Sequence, residues 1–365
     1  MAPRLGWILL TILVAAPAAV VADLEVSGGG RYIGFDVFLG VPLPPLVPDR
    51  ATVLNAHAGG GWQPVSWFRD TSGNALPGLE EATGADFRNS NGELRAWLRQ
   101  GIVPHETGDG LSLLLGPRLI YEWYSADEGT TANLLQSGRA DATEILQTSY
   151  VAGVALDTVV EAPTGVLREG WVAEALFEHA PGGINQGIGG ADYARGTLRA
   201  AYYVPVVDEP TVQAYLAHRV VVDVLGGAFI PALAQARIGG LRPEDAIGGA
   251  FRGLPDGRLD AQLKTLASVD LRGSWITGLF DDVVIPGGLV YVDAATASAL
   301  DDQLRADNAT DRVIVGAGVG ISAHVDIFSL FGVDVIGLVS FIFEPAVSGD
   351  DGSLTSFSVE VGHQF

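Results

Sequence analysis

From Val313 to Asp326 the side chains alternate in character. Val313, Val315, Ala317, Val319, Ile321, Ala323 and Val325 share one face, and Ile314, Gly316, Gly318, Gly320, Ser322, His324 and Asp326 share the other. The last residues repeat the pattern: Phe357, Val359, Val361, His363 and Phe365 alternate with Ser356, Ser358, Glu360, Gly362 and Gln364. A period of two belongs to extended chain, because successive Cβ atoms on a strand point to opposite faces. Runs this long exceed the usual strand of about 5–6 residues and match the roughly 9–11 that a tilted strand needs to cross a bilayer core. This feature narrows the fold more than any other.

Thirteen such stretches can be read, from Tyr32–Pro42 to Ser353–Phe365, among them Ile145–Asp157 and Gly165–His179. Several carry arginine on the polar face: Arg95 and Arg99, Arg118, Arg195 and Arg199, and Arg219 with Asp223. A charge facing lipid at mid-depth costs roughly 2–4 kcal/mol, so these side chains are expected to face inward. From Leu263 to Trp275 the apolar face holds Leu263, Ala267, Val269, Leu271 and Trp275, and Lys264, Ser268, Asp270, Arg272 and Ser274 lie opposite. Trp62, Trp67, Trp123, Tyr124, Tyr202, Tyr203, Trp275, Phe341 and Phe343 fall near strand ends, as interfacial girdles require. The expected fold class is all-β: a closed antiparallel transmembrane β-barrel of about twelve to sixteen strands, even in number. Polar stretches rich in Gly, Pro and Asp, such as Asp70–Asn91, Asp127–Thr143 and Gly182–Tyr193, are expected to be long loops.

Composition agrees with two sorted faces. Mean hydropathy is +0.29, yet the chain carries 43 acidic residues and a net charge of -22. So large a negative charge argues against nucleic acid as a partner. Arg4, the apolar run Trp7–Ala16 and the small-residue site Val20-Val21-Ala22 read as a cleavable signal peptide over residues 1–22, leaving a barrel domain over residues 23–365. Past that leader, no apolar stretch reaches the roughly 18 residues of a spanning helix. The terminal strand ending on Phe365 resembles the C-terminal targeting strand of bacterial outer-membrane barrels, with Phe357, Val359 and Val361 on its apolar face.

Residues 246–259 read AIGGAFRGLPDGRL between two strands; Val269-Asp270-Leu271-Arg272 and Leu289-Val290-Tyr291-Val292-Asp293 follow in the next two. This order resembles the C-terminal part of the BamA/TamA outer-membrane assembly-factor superfamily, the bacterial surface antigen family. In that family a long loop with an Arg-Gly core folds back into the lumen, an acidic-Leu-Arg element lies in the following strand, and an aspartate lies in the strand after that. The resemblance implies that Phe251-Arg252-Gly253-Leu254 is the loop tip, that Asp270 and Arg272 form the second element, and that Asp293 is the strand aspartate. It covers about a third of the chain, residues 240–365. Leu254 stands where an aromatic residue is usual, and Ala294-Ala295 follow Asp293 where a glycine is typical. The residues by themselves allow the same contact: alternation puts Asp270 and Asp293 on the inward faces of neighbouring strands. An arginine fork from a glycine-rich loop then suits two carboxylates. They also allow a solvated surface loop and a water-filled pore.

His57, His105, His179, His218, His324 and His363 are scattered, with no H-E-x-x-H spacing, and no G-x-S-x-G elbow is present. No enzymatic role and no cofactor or metal are expected. The resemblance implies a part in inserting or translocating polypeptides at the bacterial outer membrane, with lipid and lipopolysaccharide around the barrel and client polypeptides or a periplasmic partner. No periplasmic repeats are read ahead of the barrel, so a passive porin-like channel or a structural surface-antigen barrel stays open as the alternative.

Overall fold

The computed structural model describes residues 21–29, 32–65, 87–105, 108–125, 144–185, 190–231, 251–252, 261–280, 283–298, 312–327, 331–343 and 353–362. Residues 1–20 of the expected leader lie outside that set, as do Gly253, Leu254, Phe365 and residues 66–86 and 126–143.

Within it, β1 (Val21–Gly29), β2 (Tyr32–Leu43), β3 (Thr52–Val65), β4 (Phe87–His105), β5 (Gly108–Ser125), β6 (Glu144–Asp157) and β7 (Val160–Glu161) come first. They are followed by β8 (Arg168–Ala180), β9 (Asp192–Glu209), β10 (Val212–Phe229), β11 (Leu263–Trp275), β12 (Val284–Ser298), β13 (Arg312–Ile327), β14 (Phe331–Phe343) and β15 (Ser353–Gly362). All belong to one antiparallel sheet whose neighbours are chain neighbours, with two further joins. β1 pairs with β15, from Val26 opposite Val361 to Gly29 opposite Ser358. β6 pairs with β8, from Tyr150 opposite His179 to Asp157 opposite Val172. Every strand except the two-residue β7 is therefore hydrogen-bonded on both sides.

Each of the thirteen strands read from alternation has its counterpart. Two strands are not read from alternation: the two-residue β7, and β1, whose first residues overlap the end of the expected leader. Two boundaries are also corrected: β4 starts at Phe87, so residues 87–91 of the stretch expected as a loop are strand, and the second change falls at residues 158–167. Alternation carried a strand back to Gly165, whereas β8 starts at Arg168 and the stretch before it is the short β7 and a turn. Gly170 makes the junction possible. At its φ of 118° a side chain is strained, and a Cβ there would stand 2.3 Å from the carbonyl oxygen of Thr158.

The two faces of the sheet are sorted against the usual order of a soluble protein. Val313, Val319 and Ile321 are exposed, the last at 77%, as are Leu94, Leu115, Val269, Val290 and Val292. Asp223, Lys264 and Asp293 are at 0%, and Arg118, Arg195 and Glu178 are buried with them. Lys, Glu, Arg and Asp are almost never fully buried unless paired, so the buried face must be a network of ion pairs. One part of that face is apolar: Val221, Leu266, Ala295, Ala297, Ile314 and Ile342 form a cluster where alternation alone expects polar residues.

Candidate functional site

The site lies on the buried face of β11 and β12. Register sets Asp270 opposite Tyr291 and Ser268 opposite Asp293. The side chains of Asp270, Tyr291 and Asp293, one residue out of phase with the exposed Val269, Val290 and Val292, therefore share one patch. Phe251 and Arg252 enter it from the connection between β10 and β11.

Arg252 holds both aspartates at once. Its Nη1 and Nη2 donate to Asp270 Oδ2 and Oδ1 at 2.7 and 2.6 Å. Its Nε and Nη2 donate to Asp293 Oδ2 and Oδ1 at 3.0 and 2.5 Å. The backbone N–H of Arg252 donates to Asp293 Oδ2 at 3.0 Å, which pins the loop's main chain as well as its charge. A planar guanidinium can serve two carboxylates along two edges in this way, and a lysine ammonium cannot. Arg272 Nη2 adds a third cationic contact, 3.0 Å from Asp270 Oδ2. The ring of Tyr291 lies under the fork, its centroid 3.7 Å from Arg252 Cζ, a cation–π distance. The Tyr291 hydroxyl and Ser340 of β14 hydrogen-bond, which fixes the ring.

Two glycines on β13 make room. Gly318 stands opposite Tyr291, and a Cβ there would come within 2.6 Å of its ring. Gly316 stands opposite Asp293, and a Cβ there would sit 3.0 Å from Phe251 Cε1. Phe251 itself is fully buried in the apolar cluster of Leu266, Ile314 and Ile342. The tip is thus held by one ring in an apolar pocket and one cation between two carboxylates.

Of the residues singled out in the sequence, the structure brings together Phe251, Arg252, Asp270, Arg272 and Asp293. Gly253 and Leu254 lie outside the described residues. Phe357, Val359 and Val361 are elsewhere, on β15, where Val359 and Val361 pair with Gly28 and Val26 of β1. The sequence reading missed Tyr291 as a partner, although its alternation phase with Asp293 was visible. It also missed the Phe251 pocket.

Two other ion clusters occupy the same face. Arg118 of β5 binds Glu93 of β4 with Nε and Nη2, both at 2.8 Å, and reaches over β6 to Glu178 of β8 at 3.1 Å. Arg195 of β9 binds Asp223 of β10 at 2.6 Å, and Lys264 of β11 stands 3.2 Å from the same carboxylate.

This antiparallel sheet, with its apolar exposed face and ion-paired buried face, defines a BamA-like fold. It is similar to BamA from Haemophilus ducreyi lacking POTRA domains 1–3, with a TM-score of 0.55 and 15% identity, over 95% of this chain and 70% of that one. It is similar to CdiB from Escherichia coli, with a TM-score of 0.55 and 12% identity, over 96% of this chain and 64% of that one, less than two thirds of its length. At these identities the likeness is one of fold. No protein-family model and no curated protein matches the sequence.

Proposed function

We propose that the chain is a closed outer-membrane β-barrel of the BamA/TamA superfamily that assists insertion or translocation of polypeptides at the bacterial outer membrane, after export by its signal peptide. The observation that carries the reading is the double fork from Arg252 to Asp270 and Asp293, made by a loop tip on a BamA-like fold. Strand pairing supports closure: a spanning sheet can leave no edge in lipid, and β1 meets β15 as β6 meets β8. Phe251 and Arg252 of the β10–β11 connection then face the lumen, with lipid and lipopolysaccharide against the exposed valines and leucines. The seam that would yield to a client is the β1–β15 pair, where the first and last strands meet, with four facing residue pairs among the described residues against thirteen between β10 and β11. No covalent chemistry and no cofactor enter this role.

The test is reconstitution into liposomes with an unfolded barrel protein as client. The chain should speed the client's conversion to its heat-modifiable form relative to empty liposomes. No acceleration together with a large, steady conductance would make it a passive channel. No acceleration and no conductance would leave a structural barrel.

A further inference from the structure

The connection between β6 and β8 is a second segment on the buried face. Val160 and Glu161 pair with Glu169 and Arg168, and Ala162 N donates to Leu167 O at 2.9 Å, so residues 160–169 form a hairpin. Its tip is Ala162-Pro163-Thr164-Gly165, closed by Gly165 N donating to Ala162 O at 2.8 Å. Proline suits the second position of such a turn and glycine the fourth, and Gly165 has a φ of 74°.

The tip does not stay beside its own strands. Thr164 Oγ1 donates to Gln213 Oε1 of β10 at 2.6 Å. Leu167 is buried against Ala201 and Tyr203 of β9 and Tyr215 of β10. A Cβ on Gly165 would stand 3.2 Å from Nε2 of His324, on β13. In the sheet order β9, β10, β11 and β12 intervene between β8 and β13. Contacts with both β10 and β13 from a segment anchored at β8 require it to cross the buried face. Gln213 opens β10 and His324 nearly closes β13, so the crossing is at the end of the strands away from the β10–β11 loop. What remains between tip and wall is a cleft lined by Arg168, Tyr215, Arg272 and His324.

We infer that residues 158–167 are a second plug, one that seals the end of the lumen opposite the Arg252 loop. This rests on the closed-barrel reading above. The lumen then stays shut when the Arg252 loop leaves it, and the route left to a client polypeptide is the β1–β15 seam.

Conductance in planar bilayers tests this with three variants. One replaces residues 246–259 by a Gly-Ser linker, one exchanges residues 160–167 for a short Asn-Gly turn, and one carries both changes. Either change alone should leave conductance near that of the unaltered chain, and the double change should raise it severalfold. The plug is wrong if the 246–259 variant alone matches the double variant, or if the double variant remains heat-modifiable yet conducts no better than the unaltered chain. Failure of the barrel reading looks different: the unaltered chain would show no heat-modifiable form. Because the protein has no cysteine, a measurement independent of the deletions is available. Thr164→Cys with Gln213→Cys should be joined by a short thiol-specific cross-linker in intact membranes; no cross-link in the folded protein overturns the inference.

Discussion

Arg252 and Arg118 are both buried arginines that each hold two carboxylates, but they tie different things together. Arg118 belongs to the wall. It sits on β5 and bridges Glu93 and Glu178, which are themselves on wall strands β4 and β8. Arg252 belongs to a loop, and its partners Asp270 and Asp293 are on β11 and β12. The partners also differ in what they keep if the arginine goes. Glu93 retains Arg95 at 2.5 Å, and Glu178 retains the Ser149 hydroxyl at 2.5 Å and the Tyr193 hydroxyl at 3.3 Å. Asp270 retains Arg272 at 3.0 Å, whereas the hydrogen bonds that Asp293 accepts among the described residues come from Arg252, with the buried Arg219 adding attraction at longer range. In the wall cluster each glutamate keeps a hydrogen-bond partner without Arg118, whereas the hydrogen bonds that tie the loop to Asp293 come from Arg252. In the proposed barrel, redundancy suits a wall that stays shut, and a loop held through one arginine suits a contact that can be made or broken as a unit.

The largest effect should therefore follow Arg252→Ala. It strips the fully buried Asp293 of the hydrogen bonds it accepts from Arg252, and removing one partner of a buried pair costs roughly 3–5 kcal/mol. The cost should fall on the loop: residues 246–259 should become sensitive to protease while the heat-modifiable band survives. A loop as resistant as in the unaltered chain would mean that the Phe251 pocket alone holds it.

Arg252→Lys should fall below that. The charge stays near both aspartates, but the fork and its stacking on Tyr291 go. Losing one charged hydrogen-bond set costs about 1.5–3 kcal/mol, and limited proteolysis against the alanine variant reads the difference. Full protection by lysine would reduce the site to a point charge.

Arg118→Ala should cost still less, about 1–2 kcal/mol, since both glutamates keep partners. Its signature should also differ. Urea unfolding of the whole sheet, followed by tryptophan fluorescence, should shift, and loop proteolysis should not. Protease sensitivity at 246–259 in this variant would show that wall and loop are coupled and erase the comparison.

Some of this was legible in the sequence and some was not, for physical reasons. Asp270, Arg272 and Asp293 announce their face by alternation, because charged residues share the face opposite the exposed valines and leucines. Arg252 has no such phase, since a loop carries no period; only the order of short elements around it marks it. The pocket for Phe251 was hidden because Leu266, Ile314 and Ile342 break the polar rule on the inward face. They answer to a ring that arrives from 15 to 91 residues away along the chain. β1 was hidden by its overlap with the leader. The 158–167 hairpin was hidden because Gly165 to Arg168 continues the phase of β8, and its partners Gln213 and His324 are distant in sequence.

The smallest effect isolates burial from chemistry. Arg199 and Glu174 stand directly opposite each other on β9 and β8, and Arg199 Nη2 lies 2.5 Å from Glu174 Oε2. The pairing is as close as those of Arg252, but the two side chains are 29% and 27% exposed, against 9% and 0% for Arg252 and Asp293. Water can take over the freed carboxylate, so the loss approaches the roughly 0–1 kcal/mol of an exposed pair. Arg199→Ala should leave both the urea midpoint and loop proteolysis close to those of the unaltered chain. Raising salt should also erode this pair more than the Arg252 cluster, because screening acts on charges that solvent reaches. A cost equal to that of Arg118→Ala would mean that distance alone sets the strength of these pairs, and that burial and redundancy are not what separates the loop from the wall.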